Sequence, residues 1–322
     1  MISILTEHEL EIQTRKVLIS GIDNAGKSSI QDILKFIPLE AIQRRVPSKD
    51  IEISKKQFMK VNYVFFIPPG QMDLRKNELH GSMKHEYFEN IDTFIFTIDS
   101  SDKRRFDESR EELQLSICDL LELSPGCKNF LLFAHKQDLE DALDSFQIKK
   151  TILDPLENLY PGIIKQFKIF ETSIINPESI HEPFVKAIAK HVGMNRIDFD
   201  KLAEWVRTQT QAKITLITDH NGLLIGESFV GKENTNTFAA YVAKIFSAVE
   251  DFQTDLEVGG IKIIVLEDEE EKNYSIISRI NCSKNDYLAL LVGYPNTQIG
   301  MARIINKKGL LKLKEAYSSY QN

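Results

Sequence analysis

Short apolar runs alternate with stretches of helical periodicity through the first two thirds of the chain. The runs have strand length and lie at 17–19, 63–66, 94–98, 130–133 and 168–170. The longest intervening stretch spaces its apolar residues on one helical face, with Phe106, Leu113, Ile117, Leu120 and Leu121. Strands that alternate with helices predict βαβ units and a largely parallel sheet.

A different order of elements follows residues 193–196. A helix with Phe199, Leu202 and Val206 precedes a strand at 214–217 and a turn with Asn221-Gly222, a pair that favours tight hairpins. A long helix then carries apolar residues at helical spacing, and strands at 261–266, 274–280 and 287–292 and a helix at 299–316 end the chain. We therefore predict two domains, 1–194 with a mostly parallel sheet and 195–322 with a smaller antiparallel sheet.

Composition agrees with two ordinary globular domains. The chain has 322 residues, 42% hydrophobic and 27% charged, with a net charge of -7. An acidic chain without long basic runs makes a nucleic-acid partner unfavourable. Its three cysteines are far apart, which fits a reducing compartment. Without a leader-like segment, a bilayer-length apolar run or a glycine at position 2, we expect a cytoplasmic protein that reaches membranes only through partners.

A phosphate-binding loop is the most specific motif. The segment from Gly21 to Ser28 reads Gly-Ile-Asp-Asn-Ala-Gly-Lys-Ser, follows a predicted strand and precedes a helix, as the G-x-x-x-x-G-K-[ST] loop requires. Its backbone N–H groups and Lys27 are suited to bind phosphates, and the Ser28 hydroxyl to bind Mg²⁺. The predicted nucleotide-binding residues here are Gly21, Asp23, Asn24, Ala25, Gly26, Lys27, Ser28 and Ser29.

Two further loops predict a guanine pocket. His135-Lys136-Gln137-Asp138 follows one predicted strand, and Ser173-Ile174 follows the next. The carboxylate of Asp138 can accept hydrogen bonds from guanine N1 and N2, and the stem of Lys136 can lie along the purine. The backbone at Ser173 can contact guanine O6. We therefore predict that His135, Lys136, Asp138, Ser173 and Ile174 bind the base of GTP or GDP.

These motifs resemble the Ras-like small GTPases, and among them the Arf and Rag branches. The phosphate loop and the segment 99–106, Asp-Ser-Ser-Asp-Lys-Arg-Arg-Phe, are similar to Arf. His-Lys-Gln-Asp at 135–138, Pro-Gly-Gln-Met-Asp at 69–73 and Thr-Ser-Ile at 172–174 are similar to Rag. The element order after residue 194 resembles a roadblock or longin-like domain, as in Rag proteins. The resemblance implies a P-loop GTPase domain followed by a domain for dimerisation or partner docking.

The resemblance also places the two switch segments. Ser48 is the candidate Mg²⁺ ligand of the first, although a plain surface serine is nearly as good an explanation. In the second, Gly70 would bind the γ-phosphate through its N–H, and Gln71 would orient the attacking water as the catalytic residue. The family motif is Asp-x-x-Gly, but this chain has Ile67-Pro68-Pro69-Gly70. The missing aspartate puts Mg²⁺ binding in question, and the prolines stiffen the segment.

The leading hypothesis is a regulatory GTPase that uses GTP, GDP and Mg²⁺ and hydrolyses GTP slowly, since no arginine can be assigned to transition-state stabilisation from sequence. A nucleotide-binding scaffold without hydrolysis and a P-loop kinase are the alternatives. We expect the second domain to form a homodimer, or a heterodimer with a related GTPase, and to dock roadblock or longin-type regulators. An inert second domain is the simplest alternative.

Overall fold

The computed structural model describes residues 14–35, 37, 39–42, 52–58, 61–189, 196–220, 222–231, 235–256, 261–268, 273–283 and 286–319. The chain divides into two compact units, Met1–Ile188 and Ala189–Asn322. The boundary that the sequence suggests, between 194 and 195, lies within residues 190–195, which the structure does not describe, and it stays a prediction.

In the first unit, the described residues form a six-stranded sheet flanked by helices. Its strands are β1 (Thr14–Ser20), β2 (Glu52–Phe58), β3 (Val61–Ile67), β4 (Thr93–Asp99), β5 (Asn129–His135) and β6 (Phe167–Thr172). The helices are α1 (Lys27–Leu34), α2 (Leu39–Ile42), α3 (Met72–Leu74), α4 (Lys84–Phe88), α5 (Phe106–Leu123), α6 (Ser145–Ile148), α7 (Asp154–Glu157), α8 (Pro161–Ile164) and α9 (Glu178–Ala189). Wider π-type turns span Arg75–Ser82 and Lys149–Leu153, and a 3₁₀ turn spans Lys103–Arg105.

The strand order is β2-β3-β1-β4-β5-β6, and every pairing except β2 with β3 is parallel. This confirms the mostly parallel α/β fold, and each of the five predicted strands is present. The central strands β4 and β5 are buried almost throughout, as expected for strands covered on both faces. Because parallel strands end at the same edge, the loops after β1, β4, β5 and β6 meet there.

Two local expectations need correction. The antiparallel edge strand β2 was not predicted, because its apolar Ile53 is half exposed while Glu52 and Ser54 are less exposed. Such a strand lacks the inward apolar alternation that identifies strands in a sequence. In α5, Phe106, Leu113, Ile117 and Leu120 are buried as predicted, but Leu121 is 44% exposed, so it lies outside the buried face of this helix.

The second unit is a smaller α/β domain. Its strands are β7 (Ile214–Asp219), β8 (Leu224–Phe229), β9 (Ile263–Glu267), β10 (Tyr274–Ser283) and β11 (Asp286–Gly293), and its helices are α10 (Arg196–Thr210), α11 (Thr235–Leu256) and α12 (Ile299–Ser319). The sheet order is β8-β7-β11-β10-β9, with antiparallel pairing throughout the described strands. This confirms the predicted antiparallel sheet. Phe246 of α11 packs in its core beside Tyr287.

Candidate nucleotide-binding site

The phosphate loop connects β1 to α1 and depends on glycine at two positions. Gly21 and Gly26 have φ angles of 140° and 95°, in the left-handed region that favours glycine. A Cβ atom at Gly21 would lie 2.4 Å from the Thr97 carbonyl oxygen, and one at Gly26 would lie 2.4 Å from Cδ2 of His135. The loop is therefore fixed by close packing against β4 and against the residue that ends β5.

Lys27 is buried at the start of α1, with 7% of its surface exposed. Its ammonium donates to the carbonyl oxygens of Gly21 and Ile22, at 2.9 and 2.8 Å. Burial, followed by the nearby Arg75 charge, lowers the pKa of Lys27 to about 8. Because the protein solvates this ammonium with only a few carbonyl groups, a phosphate beside it would stabilise its charged form.

The second switch segment lies directly against the phosphate loop. The Asp23 N–H donates to the Gly70 carbonyl at 2.9 Å. A Cβ atom at Gly70 would lie 2.4 Å from the Asp23 Cα and 2.6 Å from the Lys27 Nζ, so glycine is required by the close approach. Gln71 follows at the N-terminus of α3 with an exposed side chain. The structure thus brings Gly70 together with Lys27, and Gln71 is the residue that follows Gly70.

The base loop is anchored by His135, which ends β5 and is 2% exposed. Its Nδ1 lies 3.0 Å from the Thr172 hydroxyl oxygen, and burial, followed by the Lys136 charge, lowers its pKa to about 4. The ring is therefore neutral near pH 7. Since the same ring packs against Gly26, His135 connects the predicted base loop to the phosphate loop.

Lys136 and Asp138 are held by side chains from neighbouring strand ends. Lys136 has a φ angle of 65°, and its ammonium lies 2.6 Å from the Asp99 carboxylate. Although burial opposes the charge of Asp99, hydrogen bonds from Lys136 and Ser101 lower its pKa. The Ser173 hydroxyl donates to the Asp138 carboxylate. These contacts bring the predicted residues of the two base loops together at one edge of the sheet.

The remaining predicted residues that the structure describes lie in the phosphate loop, in α1 and after β6. Asn24 has a φ angle of 60° and is exposed, Ala25 is buried, and Ile174 is partly exposed beyond β6. Ser28 and Ser29 lie in the first turn of α1, directly after Lys27. Ser48 lies outside the described residues. The nucleotide contacts of all these residues remain predictions.

Two arginines that the sequence left without a role lie beside the phosphate loop. Arg105 donates through Nη2 to the Asp23 carboxylate at 2.5 Å and through Nη1 to the Asp23 carbonyl at 3.1 Å. Arg75 is 3% exposed and binds Glu108 and Glu112 at 2.5 and 2.8 Å. Arg105 is part of the Arf-like segment 99–106, but its contact with Asp23 spans 82 positions, so no local pattern could reveal it.

Alternating charges join residues 75–84, which continue the second switch segment after Gln71, to α5. His80 lies between two carboxylates, with Nε2 2.9 Å from Glu112 and Nδ1 2.6 Å from Asp119. Lys84 binds Asp119 at 2.8 Å and Glu122 at 2.6 Å. We call this set the ionic ladder: Arg75, His80 and Lys84 on one side, and Glu108, Glu112, Asp119 and Glu122 of α5 on the other. It fixes residues 75–84 along the helix.

The sheet and its phosphate loop define a P-loop domain of the small GTPase class, and comparisons with known proteins place it further. The sequence model of the ADP-ribosylation factor (Arf) family matches residues 1–191. ADP-ribosylation factor-like protein 3 of Caenorhabditis elegans is 36% identical over 150 residues, which are 44% of this chain and 72% of that protein. ADP-ribosylation factor-like protein 2 of Dictyostelium discoideum is 32% identical over 150 residues, 47% of this chain and 75% of that protein.

Similar solved structures include the Arl6 BBS3 small GTPase of Trypanosoma brucei with the bound nucleotide analogue GppNp. It is 24% identical, with a TM-score of 0.46, and the match covers 57% of this chain and all (100%) of that one. Myxococcus xanthus MglB is 20% identical, with a TM-score of 0.35, over 39% of this chain and 92% of that one. Both TM-scores are low, so the description of the two folds rests on their strand orders and not on these matches.

The chain belongs to the Arf family of small GTPases. Arf-family proteins are GTP-binding regulatory switches and generally hydrolyse GTP; the first unit is a GTP-binding switch domain of this family. Family membership also removes the P-loop kinase alternative. The Rag-like features of the first unit and the roadblock-like identity of the second stay predictions.

Proposed function

We propose that this chain is a switch that binds GTP and GDP with Mg²⁺, hydrolyses GTP slowly and pairs with a related chain through its second unit. The observation that carries the switch is the contact of Gly70 with both Asp23 and Lys27. A segment that touches the phosphate loop this closely must respond to a third phosphate bound beside Lys27, which is how small GTPases convert nucleotide state into loop position.

In this proposal, Lys27 and the loop N–H groups bind the phosphates, and Asp138 binds the guanine edge. Gln71 orients the water that attacks the γ-phosphorus, so that inorganic phosphate leaves and GDP remains bound. Mg²⁺ would be held at Ser28 and would neutralise phosphate charge. Intrinsic hydrolysis is slow because Arg75 and Arg105 both bind carboxylates of the chain, so a partner is needed to complete the charge stabilisation.

Single-turnover hydrolysis tests the catalytic part. The chain is loaded with GTP labelled at the γ-phosphorus, and the release of phosphate is followed for the wild type, Gln71→Leu and Met72→Leu. Met72 is the neighbouring side chain and is 48% exposed, so it is a matched control. We expect Gln71→Leu to lower the rate by about 10-fold or more and Met72→Leu to leave it unchanged. Equal rates for the wild type and Gln71→Leu would exclude Gln71 from hydrolysis.

The alternative is a nucleotide-dependent scaffold without hydrolysis. Ile67 favours it, because this buried side chain cannot replace the motif aspartate. The same experiment separates the two functions. If wild-type protein keeps bound GTP intact even with its physiological partners present, the scaffold is correct.

Pairing through the second unit is supported by its sheet edge. Strand β9 is at one edge of the described sheet, and its Ile263 and Leu266 are 44% and 45% exposed. Edge strands present unpaired backbone groups, and exposed apolar side chains on them favour strand addition. Tyr241 of α11 is also exposed, at 54%. We therefore propose that a second copy, or a related GTPase, pairs along β9.

Light scattering of the full chain tests this pairing. We expect the wild type to be dimeric and Leu266→Lys to be monomeric, because an edge lysine opposes strand pairing. Leu311→Lys on α12, at a position that is 54% exposed, is the matched control and should remain dimeric. A wild type that is monomeric alone and in the presence of a candidate GTPase partner would contradict the pairing.

For the membrane, the structure gives one finding: within the described residues, none of the helices combines the length and hydropathy of a membrane span. We propose that any recruitment to membranes is through partners.

A further inference from the structure

The second switch motif lacks the carboxylate that the small GTPase pattern places at position 67. The residue there is Ile67, the last residue of β3, and it is 1% exposed. An isoleucine cannot bind a metal ion or a metal-bound water. If the chain uses Mg²⁺, an oxygen ligand from elsewhere in the chain must take over this role.

The strand pairing places a carboxylate at the required position. Glu52, the first residue of β2, is the direct antiparallel partner of Ile67. Directly opposite residues project from the same face of a sheet, with Cβ atoms about 5 Å apart. Glu52 therefore extends from the same face as Ile67, one strand further towards the edge, and its side chain is one methylene longer than that of aspartate.

A direct contact shows where this carboxylate points. The Ser28 hydroxyl donates to Oε1 of Glu52 at 2.9 Å. Ser28 is the phosphate-loop serine whose hydroxyl the loop motif assigns to Mg²⁺. The Glu52 carboxylate is thus in direct contact with the predicted metal ligand.

A second contact fixes β2 in this register. Gln31 donates through Nε2 to the Ser54 hydroxyl at 2.8 Å. Ser28 and Gln31 are three positions apart on α1, and Glu52 and Ser54 are two positions apart on β2, so each pair lies on one face of its element. The two contacts join matching faces and hold Glu52 beside Ser28.

We propose that Glu52 supplies the Mg²⁺-stabilising carboxylate that Ile67 cannot supply. Mg²⁺ prefers oxygen ligands and commonly takes one or two from the protein and the rest from phosphates and water. A hydroxyl and a carboxylate in contact fit that preference. This inference rests on the proposed nucleotide binding.

The test is the Mg²⁺ dependence of GDP dissociation, measured on the full chain with a fluorescent GDP analogue. The wild type, Glu52→Gln and Ile53→Gln are compared over a range of free Mg²⁺. Ile53 is the matched control, since it is adjacent on β2, is 50% exposed and lies on the opposite face of the strand. The rate in excess chelator reports nucleotide binding without the metal.

We expect Glu52→Gln to raise the Mg²⁺ concentration for half-maximal slowing by about 10-fold or more, the usual effect of losing a supporting carboxylate. The chelator rate should stay unchanged, and Ile53→Gln should behave as wild type. The double variant Glu52→Gln with Ile67→Asp should recover Mg²⁺ sensitivity, because it restores the carboxylate in the family position.

The outcomes separate this inference from the proposed function. If the wild type binds GDP with Mg²⁺ dependence, and Glu52→Gln does not shift that dependence, the role of Glu52 is wrong while nucleotide binding stands. If folded wild-type protein binds no GDP, the proposed function is wrong and the metal site is wrong with it.

Discussion

Replacing His80 with glutamine should remove a pH dependence from the stability of the first unit. His80 is 9% exposed and lies between Glu112 and Asp119 in the ionic ladder. A charged imidazole donates to both carboxylates, but a neutral one has a single N–H, so deprotonation must break one bond. Burial opposes the charge, yet the hydrogen bonds that His80 donates to Asp119 and Glu112 prevail and raise the pKa of His80 from 6.5 to about 9.

The size and sign of the effect follow from this pKa. A pKa that moves from 6.5 to about 9 corresponds to roughly 3 kcal/mol. Because the pKa is raised on folding, the stabilisation is complete below pH 6.5 and is lost as the pH rises to about 9. The free energy of unfolding should therefore fall by roughly 3 kcal/mol across this window through His80 alone.

The titration of Lys27 changes the free energy of unfolding in the opposite direction at the upper end of this pH window. Its lowered pKa of about 8 means that deprotonation above that pH favours the folded chain. The pKa values of the buried His135 and the partly buried His181 are lowered to about 4, so neither titrates within the window. The other titrating groups contribute equally in wild type and in His80→Gln, so their effects cancel in the difference between the two free energies of unfolding. This difference should shrink by roughly 3 kcal/mol between pH 6.5 and 9.

Urea unfolding followed by far-ultraviolet circular dichroism measures this difference. The single tryptophan, Trp205, lies in α10 of the second unit, so its fluorescence reports that unit separately. His85→Gln is the control, since His85 is an exposed histidine of α4. A difference between wild type and His80→Gln that stays constant from pH 6.5 to 9 would show that the two carboxylates do not hold the imidazole in its charged form.

Two further predictions concern the phosphate loop. Gly70→Ala should abolish the response of the switch segment to GTP, because the new Cβ would lie 2.4 Å from the Asp23 Cα; hydrogen exchange of residues 71–88 with GDP and with GTP should then be identical in the variant and different in the wild type. Arg105→Gln should lower the free energy of unfolding by about 1 kcal/mol, since both groups of its ion pair with Asp23 are partly exposed. Arg104→Gln, at a side chain that is 91% exposed, should have no effect in the same urea titration.

The sequence predicts the strands and loops whose structure depends on residues that are close together in the chain. Apolar runs predict β1, β3, β4, β5 and β6, and the loop glycines are identified by their spacing. The sequence was insufficient where the polar side of a strand faces the molecule, as in β2, whose Glu52 and Ser54 contact α1. Nothing local marks a strand whose inward contacts are hydrogen bonds.

Contacts between residues that are far apart in the chain could not be predicted from the sequence either. Glu52 is 24 positions from Ser28, and the Arg75 pairing with Glu112 spans 37. The register of β2 on β3 and the packing of the second switch segment on α5 create these contacts. Position 67 could therefore be recognised as a departure from the family pattern, while its compensation by Glu52 required the fold.

The central claim is that a guanine nucleotide occupies the pocket formed by the phosphate loop and Asp138, and calorimetry tests it most directly. GDP and ADP are titrated into nucleotide-free wild type and Asp138→Ala in the presence of Mg²⁺. The account predicts heat for GDP and none for ADP in the wild type, with GDP binding lost or strongly weakened in the variant. Equal binding of ADP and GDP, or no heat from either nucleotide with folded protein, would contradict it.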